Sequence, residues 1–311
     1  MLSCSSATPS EQSGRRSNML RLLQAVSDQT RISIATVIIY SAILSLLRRG
    51  TVASLSLDNA SKVVSFSHSL AISLAAVYTL NTGYWALPDI GEQAAIRHEQ
   101  VELHDRHENS MLLDDSQNII INGRSDLAKG LLAWEAGYLL YDTITLFAQS
   151  KQKHKASGYM RLVGYTFRES TDVFTHHVLI FFGLASLPSY FSYRRELGTW
   201  VFTSFLLMNA STPLLHARTW YRHHYGRQSE ALEFSFLLLF ASTRFGLVYW
   251  VVRKYAQYHN LETWNALKSL YPICRVGTIA LVGFNAMWWI ALLRKFVKHA
   301  MLRLQKHGKG S

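Results

Sequence analysis

The chain has 311 residues, 49% of them apolar, a length and composition that fit either two soluble domains or one multi-pass membrane domain. Its formal net charge is +12, but the basic residues lie beside apolar blocks, so we favour anionic lipid headgroups over nucleic acid as partners. Two cysteines, Cys4 and Cys274, exclude a disulfide framework and a zinc site with Cys/His spacing.

Apolar blocks of about twenty residues, the length that a hydrocarbon core requires, predict membrane-spanning helices along the chain. The fold class we expect is therefore an all-α multi-pass membrane protein, with about seven helices bundled around a polar-lined cavity. In chain order the predicted spans are Ile32–Leu47, Val63–Tyr84, Leu127–Phe147, Val173–Phe191, Gly198–Trp220, Ala231–Val252 and Pro272–Val297.

The polar segments around these spans divide the chain and orient it. Residues 1–30 form a Ser-rich tail, expected to be disordered or to hold a short amphipathic helix, and residues 31–61 hold the first span and its connection. Residues 62–298 make the main membrane domain, and residues 299–311 a basic tail. Seven spans place the termini on opposite sides. The basic third connection and the basic tail then predict a lumenal N-terminus and a cytosolic C-terminus.

Two adjacent histidines, His176 and His177, open the fourth span. Arg168, Asp172 and His176 are spaced four apart, so a helix places them on one face. An ionisable group inside a membrane indicates a functional site. Adjacent helical residues point about 100° apart, so the two histidines are not expected to do the same job.

The third span carries two acids on one helix face, Glu135 and Asp142, with Tyr138 between them. They could hold a cation or polarise a histidine, or they could form structural ion pairs with Arg244 or Arg275. Arg244 lies within the sixth span, where it could neutralise one of these acids or bind a lipid phosphate.

Polar residues also share one face of the fifth span, namely Asn209, Thr212 and His216. Pro213 lacks an amide and frees the carbonyl of Asn209, so we expect a kink there that shapes a cavity. In the second span His68 stands among apolar and serine residues, and a lone histidine is more often a satisfied core group than a catalyst.

The connection His98–Glu108 holds three histidines and four carboxylates, a composition that resembles a metal site. It is hydrophilic throughout, so we interpret it as a solvated charged helix and predict no metal. The histidine boxes of a di-iron desaturase or hydroxylase are also missing.

Four motifs, in order and on separate spans, resemble the TLC domain. They are KVVSFSH at Lys62–His68, GYLLYD at Gly137–Asp142, DVFTHH at Asp172–His177 and MNASTPLLHAR at Met208–Arg218. That domain is shared by translocating-chain-associated proteins, longevity-assurance-type ceramide synthases and smaller TLC-domain-containing proteins, of which the last are the most similar. The resemblance extends over about Lys62–Lys298 and implies an all-helical membrane bundle, usually in the endoplasmic reticulum.

In the ceramide-synthase branch, paired histidines and nearby acids serve the N-acylation of a sphingoid base by acyl-CoA. Carried over to this chain, the resemblance implies a catalytic set of His176, His177, Asp172 and Asp142, with acyl-CoA as co-substrate and no metal or other cofactor. A membrane-embedded imidazole can act as a general base or as a nucleophile toward a thioester. The bundle interior would bind the lipid through His68, Glu135, Tyr138, Asn209, Thr212, His216 and Arg244.

The helix after the histidine pair departs from the synthase pattern. Where the synthases carry acids, this chain has Asn209, Thr212 and His216, and neither Asn nor Thr can take a proton at neutral pH. Two hypotheses therefore stay open, both based on the handling of membrane lipids in sphingolipid, ceramide or phospholipid homeostasis. One is an acyl-CoA-dependent acyltransferase, and the other is a non-catalytic regulator of membrane composition or a trafficking accessory.

Overall fold

The computed structural model describes residues 9–49, 55–82, 85–87, 113–154, 161, 163–166 and 198–307. Within these ranges the chain is helical apart from short connections and one isolated antiparallel bridge between Ala86 and Arg124. The helices are α1 (Pro9–Arg49), α2 (Leu57–Asn81), α3 (Ile119–Asn122), α4 (Asp126–His154), α5 (Thr199–Phe205), α6 (Thr212–Tyr225), α7 (Glu230–Ala241), α8 (Leu247–Tyr258), α9 (Thr263–Ser269) and α10 (Pro272–His307). A 3-10 segment, Leu206–Ser211, joins α5 to α6, and a π segment, Ser242–Gly246, joins α7 to α8.

Among the described residues, four helical stretches are long and apolar enough to cross a membrane: Ser27–Arg49, Leu57–Asn81, Glu230–Tyr258 and Cys274–Met301. They coincide with the first, second, sixth and seventh predicted spans. Their apolar side chains are largely exposed, as expected for lipid-facing helices, because lipid rather than protein covers them. The predicted fold class, an all-α multi-pass membrane protein, is thus confirmed.

The third and fifth predicted spans also lie on helices, but these helices are less apolar. Leu127–Phe147 falls within α4, and Gly198–Trp220 extends over α5, the 3-10 segment and most of α6. The fourth predicted span, Val173–Phe191, lies outside the described residues. The count of seven spans therefore stays a prediction, as do the domain boundaries.

The chain divides into two compact units, and the first comprises Met1–Ser61 and Lys129–Leu197. Here α1 packs against α4. Ser33 Oγ donates to the carbonyl of Ala133 at 2.8 Å, and Trp134 Nε1 donates to Tyr40 Oη at 3.0 Å. Gly137 allows this close approach, since a Cβ there would lie 2.5 Å from the carbonyl oxygen of Ser33.

The second unit comprises Lys62–Ala128 and Gly198–Ser311. One apolar cluster joins the 3-10 segment to α8 through Met208, Leu247, Val248 and Val252. Another joins the end of α8 to α9 through Tyr255, Ala256 and Ala266. The short helix α3 is anchored to the start of α5, because the amide of Gly198 donates to the carbonyl of Ile121 at 2.6 Å.

Candidate functional site

The two irregular helical segments of the second unit contact each other. Pro213, in the first turn of α6, has no amide with which to bond the carbonyl of Asn209. The amide of Thr212 bonds that carbonyl instead, in the tighter 3-10 pattern. Regular α geometry is therefore interrupted where the sequence predicts a kink, and Asn209 and Thr212 flank the interruption.

Arg244 lies in the π segment that faces this point. Its Nη1 contacts the Met208 sulfur at 3.9 Å, and its guanidinium carbon lies 5.3 Å from the centre of the Phe240 ring. The side chain is half-buried within a candidate membrane span. A π turn inside an α-helix is frequently found at a functional site, because it changes the direction of the side chains around it. A cation thus contacts the 3-10 segment at Met208, the residue before Asn209.

His216 is four residues after Thr212, on α6, and its ring centre lies 6.1 Å from that of Trp220. Trp220 in turn packs on Phe66 of α2, at 5.6 Å. His68 follows Phe66 by two residues and is 1% exposed. Two residues turn a helix by about 200°, so the Phe66 contact does not bring the imidazole of His68 towards His216.

In the first unit, the acidic face of α4 is largely buried. Glu135 and Tyr138 are each 5% exposed, and Asp142 is half-buried one turn further on. Tyr138 belongs to an aromatic cluster with Tyr40 and Tyr141, whose ring centres are 5.5–6.1 Å apart. An acid inside a helical bundle is costly unless it is paired or hydrated, so these acids mark α4 as a candidate part of the site, and their role stays a prediction.

Comparison with known proteins assigns these features to a family. The family model described as the TLC domain matches residues 58–294, which is more than half of the chain. The chain belongs to the TLC domain family. No curated protein and no solved structure matches it significantly. The matched region contains all the polar spans described above, and the assignment indicates a function connected with membrane lipids at the level of the TLC domain as a whole.

Within the TLC domain, the predicted catalytic residues Asp172, His176 and His177 lie outside the described residues, as does the His98–Glu108 connection. Asp142 is the one member of the predicted catalytic set that the described part of the chain includes. The roles of these residues, and of the predicted lipid-binding residues, remain predictions.

A buried polar cluster of the TLC domain was not predicted from the sequence. The carboxylate of Asp115 accepts from Asn118 Nδ2 at 2.7 Å and from Tyr255 Oη at 3.2 Å, and it lies 2.8 Å from His259 Nε2. Asp115 is 3% exposed and Tyr255 5%. The available signal was the four-residue spacing of Tyr255 and His259, which places both on one face at the end of α8. The cluster holds the connection before α3, which carries Asp115, against the end of α8.

Proposed function

We propose that this TLC-domain protein binds membrane lipid inside its helical bundle and transfers an acyl chain from acyl-CoA to the amino group of a long-chain base. The observation that carries the lipid-handling part is the meeting of the 3-10 and π segments. It supports this part because Arg244, Asn209 and Thr212 are half-buried on two segments that contact each other, within helices rich in exposed apolar side chains. Such a bundle offers a polar interior for a headgroup and apolar walls for its chains.

The chemical step is assigned to the histidine pair from its sequence. His176 follows Asp172 by one helical turn, a spacing that favours an imidazole oriented by a carboxylate. As a general base, the imidazole takes a proton from the amine while the amine nitrogen bonds to the thioester carbonyl carbon. The carbon–sulfur bond then breaks, and the departing CoA thiolate takes up the proton. The product is an amide, with free CoA thiol.

The second candidate is a non-catalytic lipid-binding regulator of membrane composition, or a trafficking accessory, with the same bundle. It is favoured by the neutral or imidazole side chains at Asn209, Thr212 and His216, because Asn and Thr cannot hold an imidazolium as carboxylates would. For both candidates we propose a location in the endoplasmic reticulum, with a lumenal N-terminus and a cytosolic C-terminus.

Purified protein in detergent, given labelled acyl-CoA and a long-chain base, tests the choice between them. We expect an N-acyl product whose rate of formation falls by about 10²–10⁴-fold in His176→Ala or His177→Ala, the usual contribution of a general base. The matched control is the double variant His223→Ala/His224→Ala, which removes another adjacent histidine pair, one that is exposed at the end of α6.

The outcomes separate the two candidates. If product formation is unchanged in both His176→Ala and His177→Ala, the pair is not catalytic. If no amine acceptor yields product while lipid co-purifies with the folded protein, the regulator replaces the acyltransferase.

A further inference from the structure

A cavity of about 220 Å³ lies between the end of α6, the beginning of α7 and the later part of α10, all in the second unit. The last two turns of α6, the first turn of α7 and residues 292–299 of α10 surround it. The residues that matter to its chemistry are Arg218, Arg222, Glu233, Lys295, Phe296 and His299. None of them belongs to the polar site at the two irregular segments.

The cavity is basic and built around a fixed ion pair. Arg218 Nη1 lies 2.7 Å from Glu233 Oε2, and both side chains are largely covered, at 20% and 17% exposure. The guanidinium also stacks 4.2 Å above the Phe236 ring, which holds it in place. Glu233 is the one carboxylate among the described residues that line the cavity.

Two further cations extend from this pair towards solvent. Arg222 follows Arg218 by one turn of α6, and Lys295 faces it from α10, and both side chains are exposed. Since Glu233 can balance only one of the three cations, the lining carries an excess of positive charge. A guanidinium fork next to an ammonium group suits the oxygen atoms of a phosphate.

The course of the chain places this cavity at a membrane surface. The candidate spans Glu230–Tyr258 and Cys274–Met301 are joined only by the short connection that contains α9. The chain therefore crosses and returns, so that the beginning of α7 and the end of α10 lie on one side, at headgroup depth. Beside the charges, Leu292 and Phe296 of α10 add apolar surface to the lining.

We propose that this basic cavity binds a phosphate group, carried either by a phospholipid of the adjacent leaflet or by free phosphate in solution. Arg222 and Lys295 bind the phosphate oxygens, while the ion pair with Glu233 keeps Arg218 oriented towards it. The apolar side chains in the lining favour the phospholipid. The inference goes beyond the proposed function, since it requires neither acyl transfer nor the histidine pair.

Thermal unfolding of the purified full-length protein in detergent tests the site. The probes are dioctanoyl phosphatidic acid, dioctanoylglycerol, which has the same chains without phosphate, and inorganic phosphate. A ligand that binds the folded state raises the unfolding temperature in a concentration-dependent manner. We expect phosphatidic acid to raise it with saturation, and dioctanoylglycerol to leave it unchanged. A saturable rise with inorganic phosphate alone would support the site and identify the soluble source.

The variant Arg222→Gln/Lys295→Gln removes the two exposed cations from the cavity. We expect its half-saturating concentration of phosphatidic acid to rise about tenfold or more, since each surface cation contributes on the order of 1 kcal/mol towards an anionic headgroup. Arg222→Lys/Lys295→Arg keeps both charges and should stay within a few-fold of the parent protein. The unfolding temperature without ligand checks that each variant is folded.

The matched control is Arg294→Gln/Lys298→Gln. It removes one arginine and one lysine from the same end of α10, where they line a separate open groove. If this control weakens phosphatidic acid binding as much as the cavity variant, the attraction is general surface charge and the proposal is overturned. It is equally overturned if neither phosphate probe shifts the unfolding temperature, or if dioctanoylglycerol shifts it as much as phosphatidic acid does.

Discussion

At the residue scale, Asp115 is the acceptor at the centre of a buried polar cluster in the described part of the chain. Its carboxylate binds Asn118 from its own turn and Tyr255 and His259 from the end of α8. These partners lie 140 and 144 residues further along the chain, so no local pattern could have predicted the cluster. By contrast, the polar character of Glu135, Asn209 and Arg244 was evident from the sequence, because charged and amide side chains interrupt apolar blocks there.

We expect Asp115→Ala to lower the free energy of unfolding by about 3 kcal/mol, because buried donors of Asn118, Tyr255 and His259 would lose their acceptor. Asp115→Asn should lower the free energy of unfolding by less than Asp115→Ala does, since an amide keeps one acceptor oxygen. Chemical unfolding in mixed micelles measures the loss. The neighbouring acid Asp114 is exposed and serves as the control, with a much smaller loss expected for Asp114→Ala. Equal losses at both positions would show that the buried cluster contributes little.

At the element scale, the crossing of α1 and α4 depends on the absence of a side chain at Gly137. A Cβ at this position would meet the Ser33 carbonyl oxygen at 2.5 Å and the Thr36 Cβ at 2.7 Å, and backbone atoms cannot move aside cheaply. Apolar blocks predicted both helices, since block length alone fixes where a span can form. The contact between them was not predictable, because nothing in either pattern says which faces meet.

Gly137→Ala should therefore separate α1 from α4 and destabilise the protein by about 1–3 kcal/mol, the usual range for overpacking. At Gly130 of the same helix, substitution by alanine is not expected to destabilise the protein. A Cβ there meets nothing within 4 Å, so Gly130→Ala should be neutral or stabilising by up to about 1 kcal/mol through helix propensity. Thermal unfolding in detergent compares the two, and a Gly137→Ala protein as stable as Gly130→Ala would refute the close crossing.

At the scale of the whole molecule, the parity of membrane crossings decides on which sides the termini lie. Composition predicted the membrane class. Among the described residues, four helical stretches satisfy both length and hydropathy, whereas α4 and the α5–α6 stretch carry too many polar groups to do so. Those polar groups are the ones expected to line an interior. The residues that suggest function therefore also lower the hydropathy by which a span is recognised. The sequence predicts that the Val173–Phe191 block crosses as well, and the predicted number of spans is then seven, which is odd.

We therefore predict that an N-terminal glycosylation acceptor on a flexible spacer is modified in microsomes and a C-terminal one is not. The same acceptor inserted after Gly226, between α6 and α7, should stay unmodified. Inserted after Asn260, between α8 and α9, it should be modified. Modification of both termini, or of neither, would mean an even number of crossings, and at least one predicted span would then not cross.

The 3-10 segment also determines how α5 is rotated and shifted relative to α6. Over Leu206–Ser211 the chain advances about 2.0 Å and turns about 120° per residue, against about 1.5 Å and 100° in an α-helix. Relative to an uninterrupted α-helix, α5 is therefore rotated by about 120° and shifted axially by about 3 Å with respect to α6. Asn209 and Thr212 stay eclipsed, since three residues complete one 3-10 turn. The helical periodicity of polar and apolar residues in α5 accordingly does not continue into α6. In α6 the periodicity is counted afresh from Pro213.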